Sequence, residues 1–430
     1  MIRQFDVRSS RSYAQAILRN SRASSPAVAK AVATILRRVE LNGDDALRFY
    51  SRKFDGAALK SLVVSEKEIR KALASADPKF TRLLLEAAKN IKRFHIRQRR
   101  SSWRMRERFD SDLRQRYLPV ERVGVYVPGG KAVYPSTVLM NVIPAQVAGV
   151  KNIVLVSPPD NKGNVHPDVL TAAAILGITK VFRIGGAQAI AALAYGTETI
   201  PAVDVIVGPG NIFVATAKKV LFGKVGIDNV AGPSEIVILA DDNARADFIA
   251  SDMMAQAEHD QSASSILITT SPRLAGAVKE ELKIKLGTLP RKSIIASSLK
   301  NRGAILLVRD LRQGAEVVNQ LAPEHLEIMT KNDEAVLKEI RNAGSIFLGN
   351  FSPVAVGDYF AGPNHVLPTE RTARFFSPLS VDTFIKKSSV VRYSRRAMES
   401  VSEKVARFAE REGLTAHALS ARLRGKEKQG

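Results

Sequence analysis

From Val123 onward the chain alternates short apolar runs with longer segments of helical periodicity. VGVYV, NIVLVS, KVFRI and VDVIV come first, and EIVILA, SILIT, AILLV, LEIM and SIFLG follow. Runs of this length, rich in Val and Ile, with helical stretches such as Asp168–Leu176 between them, are the pattern of βαβ units on a parallel sheet. The first four lie about 25–30 residues apart, the spacing of such units, and the later set repeats the pattern. Two α/β units are therefore expected. Residues 1–118 read differently. Val28, Val32, Ile35, Val39 and Leu47 recur at helical spacing, and Asn42-Gly43 breaks one segment from the next, so this region is expected to be helical. Ser400–Arg424 predicts a last helical segment.

The first four strands end in Pro128-Gly129-Gly130, Pro158-Pro159, Gly185-Gly186 and Gly208-Pro209-Gly210. Loops at the carboxyl ends of parallel strands form the ligand crevice of an open sheet, and glycine lets backbone N–H groups approach a phosphate. The fingerprint G-x-G-x-x-G is absent, because GPGNIF lacks the third glycine. Glycine turns that only terminate strands account for these residues as well as a nucleotide site does.

Composition narrows the chemistry. The chain has 430 residues, 45% of them hydrophobic and 25% charged, which fits a folded globular protein of two or three domains. No apolar run approaches the ~18 residues needed to span a bilayer. The N-terminal stretch lacks the apolar core of a secretory signal, so a cytoplasmic location is expected. With no cysteine, disulfides, thiolate zinc sites, iron–sulfur clusters and cysteine nucleophiles are excluded.

Charge is high and uneven. Lys and Arg number 65 against 42 Asp and Glu, a formal net charge of +23. Residues 1–120 hold 28 of the basic and 12 of the acidic residues. Much of the excess lies in Lys89–Tyr117, where Phe94, Trp103, Phe109 and Tyr117 interleave with eleven basic residues. That pattern suits a nucleic-acid surface. It suits better an amphipathic helix with inward aromatics and solvated arginines. The helix is the preferred reading and nucleic-acid binding is not expected, since no nucleic-acid module accompanies the charge.

Candidate catalytic residues cluster in short motifs of the second half: Gly232-Pro233-Ser234-Glu235, Gln256-Ala257-Glu258-His259-Asp260, Pro323-Glu324-His325-Leu326, Gly357-Asp358-Tyr359, Asn364-His365 and Glu412-Gly413-Leu414-Thr415-Ala416-His417. On one helix, Gln256 and His259 at i,i+3 would share a face, as two ligands of one ion require. Asp358 and His417 would complete an N/O set suited to zinc. Each motif alone also has a structural explanation, as a hydrogen-bonded His–acid pair or a turn residue.

Taken in order, GVYVPGG…YPSTVLM, GGAQAIAALAYGT, VGPGNIFVATAK, AGPSE, QAEHD, PEHLEI, GDYFAGPNHVLPT and EGLTAH resemble the signature blocks of the histidinol dehydrogenase family, from Val123 to His417. The resemblance implies oxidation of L-histidinol through L-histidinaldehyde to L-histidine, with two NAD+, a bound zinc ion per subunit and a homodimer with a shared site. It implies zinc ligands at Gln256, His259, Asp358 and His417 and a proton-transfer pair at Glu324 and His325. Substrate contacts fall on Ser234, Glu412, His325 and the ligands, with Ser136 and His365 as pocket neighbours. NAD contacts fall on Tyr126, Gln188 and Asn211. The implied fold is α/β, with two Rossmann-like parallel-sheet units, a helical N-terminal region and a small helical C-terminal domain. The expected division is an arm over 1–22, a first α/β domain from 23–105 with 235–378, a connector at 106–123, an NAD-side domain at 124–234 and a dimerisation domain at 379–430. Glu412 and His417 are expected to enter the partner's site.

A cysteine-free chain cannot oxidise an aldehyde through a thiohemiacetal. Addition of water followed by oxidation of the gem-diol needs a carboxylate and an imidazole, and Glu324-His325 supplies both. The competing readings are a paralogue acting on another small polar alcohol and a metal-binding scaffold without catalysis.

Overall fold

The computed structural model describes residues 2–9, 26–129 and 133–425. Most of the expected arm, residues 10–22, lies outside the described residues. The chain forms two compact units, Met1–Gln98 with Val120–Phe384 and Arg99–Pro119 with Ile385–Gly430.

The first unit holds two six-stranded sheets. One runs, in spatial order, through Val63–Val64, Val181–Arg183, Asn152–Ser157, Arg122–Tyr126, Val205–Val207 and Gly226–Ile227. All its pairings are parallel except that of Val63–Val64. The other, wholly parallel, runs through Arg3–Asp6, Ala304–Leu307, Ser264–Thr269, Glu235–Ala240, His325–Met329 and Ser345–Leu348. Setting aside each sheet's first-named edge strand, both have the order 3-2-1-4-5 of a doubly wound α/β fold. The two expected α/β units are these two sheets. Their central strands are buried on both faces, which is why they read as unbroken apolar runs.

Local signals place the helices. Pro78, Pro135, Pro167 and Pro272 open helices at the first turn, where a missing N–H costs nothing. Ser65 and Glu68 form a capping box before Glu66–Ala74. The break expected at Asn42-Gly43 is a kink inside Pro26–Tyr50, with Gly43 at φ 44. A Cβ there would lie 2.3 Å from Glu198 Oε2, which also accepts the Asp44 N–H at 2.8 Å.

The helices of residues 26–96 bury their apolar faces in the two cores around the 122–227 sheet, the first of which also takes in Val366, Leu379 and Phe384. Three expectations need correction. The N-terminal 118 residues are not all helical, since Arg3–Asp6 is an edge strand and Trp103–Arg106 and Asp112–Pro119 are strands. Lys89–Tyr117 is accordingly not one amphipathic helix. The helix Pro78–Ile96 ends there, and the following polar–apolar alternation builds an antiparallel pair completed by Ile385–Arg392. Residues 106–119 are thus part of the second unit rather than a connector. Phe94, Trp103 and Phe109 are exposed rather than turned inward. Asp112 neutralises part of the charge, paired with Arg104 at 2.8 Å and with Arg114.

In the second unit the last helical segment is two packed helices, Arg395–Arg411 and Thr415–Gly425, turned at Gly413 with φ 76. Among the described residues no helix is long and apolar enough to cross a membrane.

Candidate active site

Pairing between two adjacent strands assembles the proton-transfer residues. Ile236 lies opposite His325, so Glu235 meets Glu324 at the amino ends of both strands. Glu324 Oε2 accepts the Glu235 N–H at 2.8 Å. His325 Nδ1 stands 3.0 Å from the Glu235 carbonyl oxygen, which makes Nδ1 the donor and fixes the tautomer of a neutral ring. Its Nε2 is buried without a hydrogen-bond partner and lies 3.8 Å from Asp358 Oδ1. Nδ1 also lies 3.5 Å from Glu324 Oε2.

The electrostatics follow from burial and from these neighbours. Burial alone would pull the His325 imidazole down, but the Glu324 and Asp358 carboxylates outweigh it and hold the ring up to about 9. Burial pushes Glu324 up to about 7 against the pull of His325. Asp358 is half-buried, yet His325, His365 and His259 around it hold it below the ordinary carboxylate range. Burial lowers His259 despite Asp358, favouring the neutral imidazole that a metal requires.

Gln256 lies in the last turn of helix Ala246–Ala257, which stops short of His259. A 3.3 Å bond from the His259 N–H to the Gln256 carbonyl continues the turn, so the expected i,i+3 relation holds across the helix end. Gln256 is buried, and its Nε2 has no partner. Asp358 stands on the π-helical turn Gly357–Ala361, and its carbonyl oxygen is 3.0 Å from His365 Nδ1. His365 Nε2 is 3.5 Å from Thr137 Oγ1, beside Ser136 on helix Pro135–Ala148. Ser234 is half-buried just before strand Glu235–Ala240, its carbonyl accepting the Ser264 N–H at 2.9 Å. Among the described residues no three His, Asp or Glu side chains form a metal cage by themselves. An amide with an orphaned atom, a neutral imidazole and an ionised carboxylate are nevertheless a donor set that fits zinc.

The candidate cofactor residues lie at the opposite, carboxyl ends of the other sheet. Tyr126 closes strand Arg122–Tyr126, and its buried hydroxyl accepts the Gly186 N–H at 3.1 Å. Burial pushes that phenol up to about 12. Gln188 sits in the first turn of helix Gly186–Tyr195, buried with Oε1 unpartnered. Asn211 caps helix Ile212–Leu221 through Oδ1, accepting from Phe213 N at 3.0 Å and Val214 N at 3.2 Å. The turn before it approaches the sheet closely: Gly208 has φ +109, and a Cβ there would lie 2.1 Å from the Tyr126 carbonyl oxygen. Tyr126 and Asn211 flank the point where strand order reverses, the place where open α/β sheets bind dinucleotides. The unpartnered Gln188 amide and the tight glycine turn fit such a group.

The histidinol dehydrogenase family model matches residues 18–425. The chain is 54% identical to histidinol dehydrogenase of Geobacillus kaustophilus, covering 92% of this chain and 93% of that one. It is 50% identical to that of Clostridium acetobutylicum, covering 96% of each. The crystal structure of histidinol dehydrogenase from Elizabethkingia anophelis superposes with a TM-score of 0.94 at 36% identity, covering 98% of each chain. The chain belongs to the histidinol dehydrogenase family.

As a member of the histidinol dehydrogenase family it is an oxidoreductase of histidine biosynthesis. Glu412, the C-cap of helix Arg395–Arg411, and His417 belong to the second unit, where both are exposed. They line a cavity of ≈ 440 Å³ with Lys404, Val405, Phe408 and Leu414. Sequence reasoning missed Thr137 and Glu327 of the first unit, and gave Glu235 of its candidate motif no role. Glu235, whose carboxyl burial and then Glu324 and Glu370 push up to about 8, closes the site's acidic side. Thr137 meets His365. Glu327, buried in PEHLEI, passes for a strand residue. An acidic residue inside an otherwise apolar strand was the available signal for Glu327.

Proposed function

We propose that the chain oxidises L-histidinol through L-histidinaldehyde to L-histidine, using two NAD+ and one zinc ion per subunit, in the cytoplasm. The observation that carries this reading is the convergence of Gln256, His259, Glu324, His325 and Asp358 at one end of a sheet in a chain without cysteine. Gln256, His259, Asp358 and His417 would hold the zinc, which when bound supplies a template for the substrate's imidazole and amine nitrogens. Ser234 and Glu412 would bind the substrate, with Ser136 and His365 shaping its pocket. Tyr126, Gln188 and Asn211 would hold NAD, which supplies the hydride acceptor.

In the first half-reaction His325 Nε2 would take the alcohol proton, which prepares the carbinol carbon to give up its hydride to the acceptor. In the second, Glu324 would take a proton from the water that adds to the aldehyde carbon while the protonated His325 returns its proton to the aldehyde oxygen, and the neutral ring would then take a hydroxyl proton of the gem-diol as it is oxidised to the acid. One water is consumed and two NADH are formed. Positioned proton transfer of this kind contributes about 10²–10⁴-fold.

Glu412 and His417 are read as contributions from a second copy of the chain. In support, the neighbouring Val405, Phe408 and Leu414 are exposed, the kind of apolar patch that marks an interface.

The test is an NADH-formation assay with L-histidinol on protein as isolated, after chelation, and after zinc replacement. Two NADH per histidinol, lost on chelation and restored by zinc, are expected. Turnover with other polar alcohols but none with histidinol would replace this reading with the paralogue.

A further inference from the structure

A buried carboxyl, Glu327, and a half-buried one, Asp252, which this chemistry does not use, connect the three segments presenting it. Glu327 is 1% exposed and lies two residues along the strand from His325, so both side chains project from the same face of the sheet. Asp252 stands one helical turn before Gln256, on the same face of helix Ala246–Ala257. Glu327 lies opposite Ile238 on the sheet face that packs under helix Ala246–Ala257, which brings the two carboxyls side by side. Glu327 Oε1 also accepts the Val354 N–H at 3.0 Å. Val354 opens a single helical turn that runs directly into Gly357–Ala361, where Asp358 stands. A Cβ on Gly357 would lie 2.6 Å from the Phe347 ring, and that ring faces His325 with centroids 6.3 Å apart.

Two ionised carboxylates are both acceptors and cannot bond to each other. Burial pushes Asp252 up to about 6, and burial with repulsion from Asp252 pushes Glu327 well above its ordinary value. The pair therefore keeps a proton between them, and that proton gives Glu327 Oε2, otherwise unpartnered, a bond.

We propose that the Asp252–Glu327 pair is a positioning clamp, holding the segments of Gln256 and His259, of Glu324 and His325, and of Asp358 in mutual register. The inference rests on the zinc-assisted reading above for what those residues do. An apolar pair would fill the same space but would leave the Val354 N–H unbonded and the Asp358 turn free to shift. Outer partners of metal ligands commonly control affinity in this way.

Glu327→Gln preserves the geometry: its amide donates to Asp252 and its oxygen accepts from Val354. Glu327→Leu keeps only the bulk. Zinc affinity of the chelated full-length chain is measured by competition with a chelating dye, alongside Tm and the KM and kcat for histidinol. Glu327→Leu is expected to weaken zinc binding about 10–100-fold and to raise KM more than it lowers kcat, while Glu327→Gln stays within about threefold of the parent. Asp252→Ala, the second variant should Glu327→Leu fail to fold, is expected to behave like Glu327→Leu. Affinity within about threefold of the parent in either truncation, whatever its Tm, would overturn the clamp. So would a Glu327→Gln variant as weak as Glu327→Leu. His259→Ala is the control: if it binds zinc as tightly as the parent, the metal reading itself has failed. Loss in His259→Ala without loss in Glu327→Leu sinks only the clamp.

Discussion

Replacing Glu324 with Gln separates the two half-reactions and tests the electrostatics of the pair. Glu324 Oε2 stands 3.5 Å from His325 Nδ1 within the protein interior. Coulomb attraction between unit charges at that distance is about 5 kcal/mol at an effective dielectric of about 20. Since each pKa unit corresponds to about 1.4 kcal/mol, even a third of that attraction moves the imidazole by about one unit. The sign is downward. His325 is held up to about 9 because burial is outweighed by Glu324 and Asp358, and neutralising Glu324 removes the largest single effect that raises it. His325 must be neutral to accept the alcohol proton, so activity in the first half-reaction rises with pH through its pKa. In Glu324→Gln that rise is expected at least about one pH unit lower, with oxidation of histidinol largely kept. Oxidation of supplied histidinaldehyde is expected to fall about 10²–10⁴-fold, the usual contribution of a positioned base. The assay is NADH formation from each substrate between pH 6 and pH 10. An unmoved midpoint would show that Glu324 does not hold His325 charged. Equal losses on both substrates would refute the division of labour.

Other outcomes follow from separate parts of the molecule. Lys218 is almost wholly buried, donating to the Gly208 carbonyl at 3.0 Å and to Asp228, whose Oδ2 accepts the Gly208 N–H at 2.8 Å. Lys218→Met strands the Asp228 charge and is expected to cost about 3–5 kcal/mol in urea unfolding; a loss below about 1 kcal/mol would mean that the pair is not what holds this turn. Shortening the chain before Glu412 is expected to leave a folded protein without zinc uptake or turnover, and histidinol oxidation by that protein would exclude the shared site. The exposed basic surface is expected to give no gel shift of duplex DNA at about 150 mM salt; a shift there that collapses by about 300 mM would establish a phosphate-binding face.

What the sequence determined by itself is what depends on neighbours a few residues apart. The apolar runs from Val123 to Leu348 are the parallel strands, Pro and Ser/Thr/Asp signals open many of the helices, and Gly43 and Gly413 mark a kink and a turn. The residue types suited to zinc and proton transfer stood in its motifs. Tertiary structure decided where they meet. Glu235 and Glu324 are 89 residues apart and become bonded only through strand pairing, which sets the chemistry at amino ends while the glycine turns lie at the carboxyl ends of the other sheet. The helices of residues 26–96 show an apolar face but not which sheet will cover it, and the 122–227 sheet does. The polar–apolar alternation in Trp103–Arg106 and Asp112–Pro119 becomes a sheet because Ile385–Arg392 supplies a third strand. An acid such as Glu327 is equally legible in sequence as a defect or as a partner, because the desolvation that makes it costly and the Asp252 carboxyl that relieves it both arise only when distant segments pack.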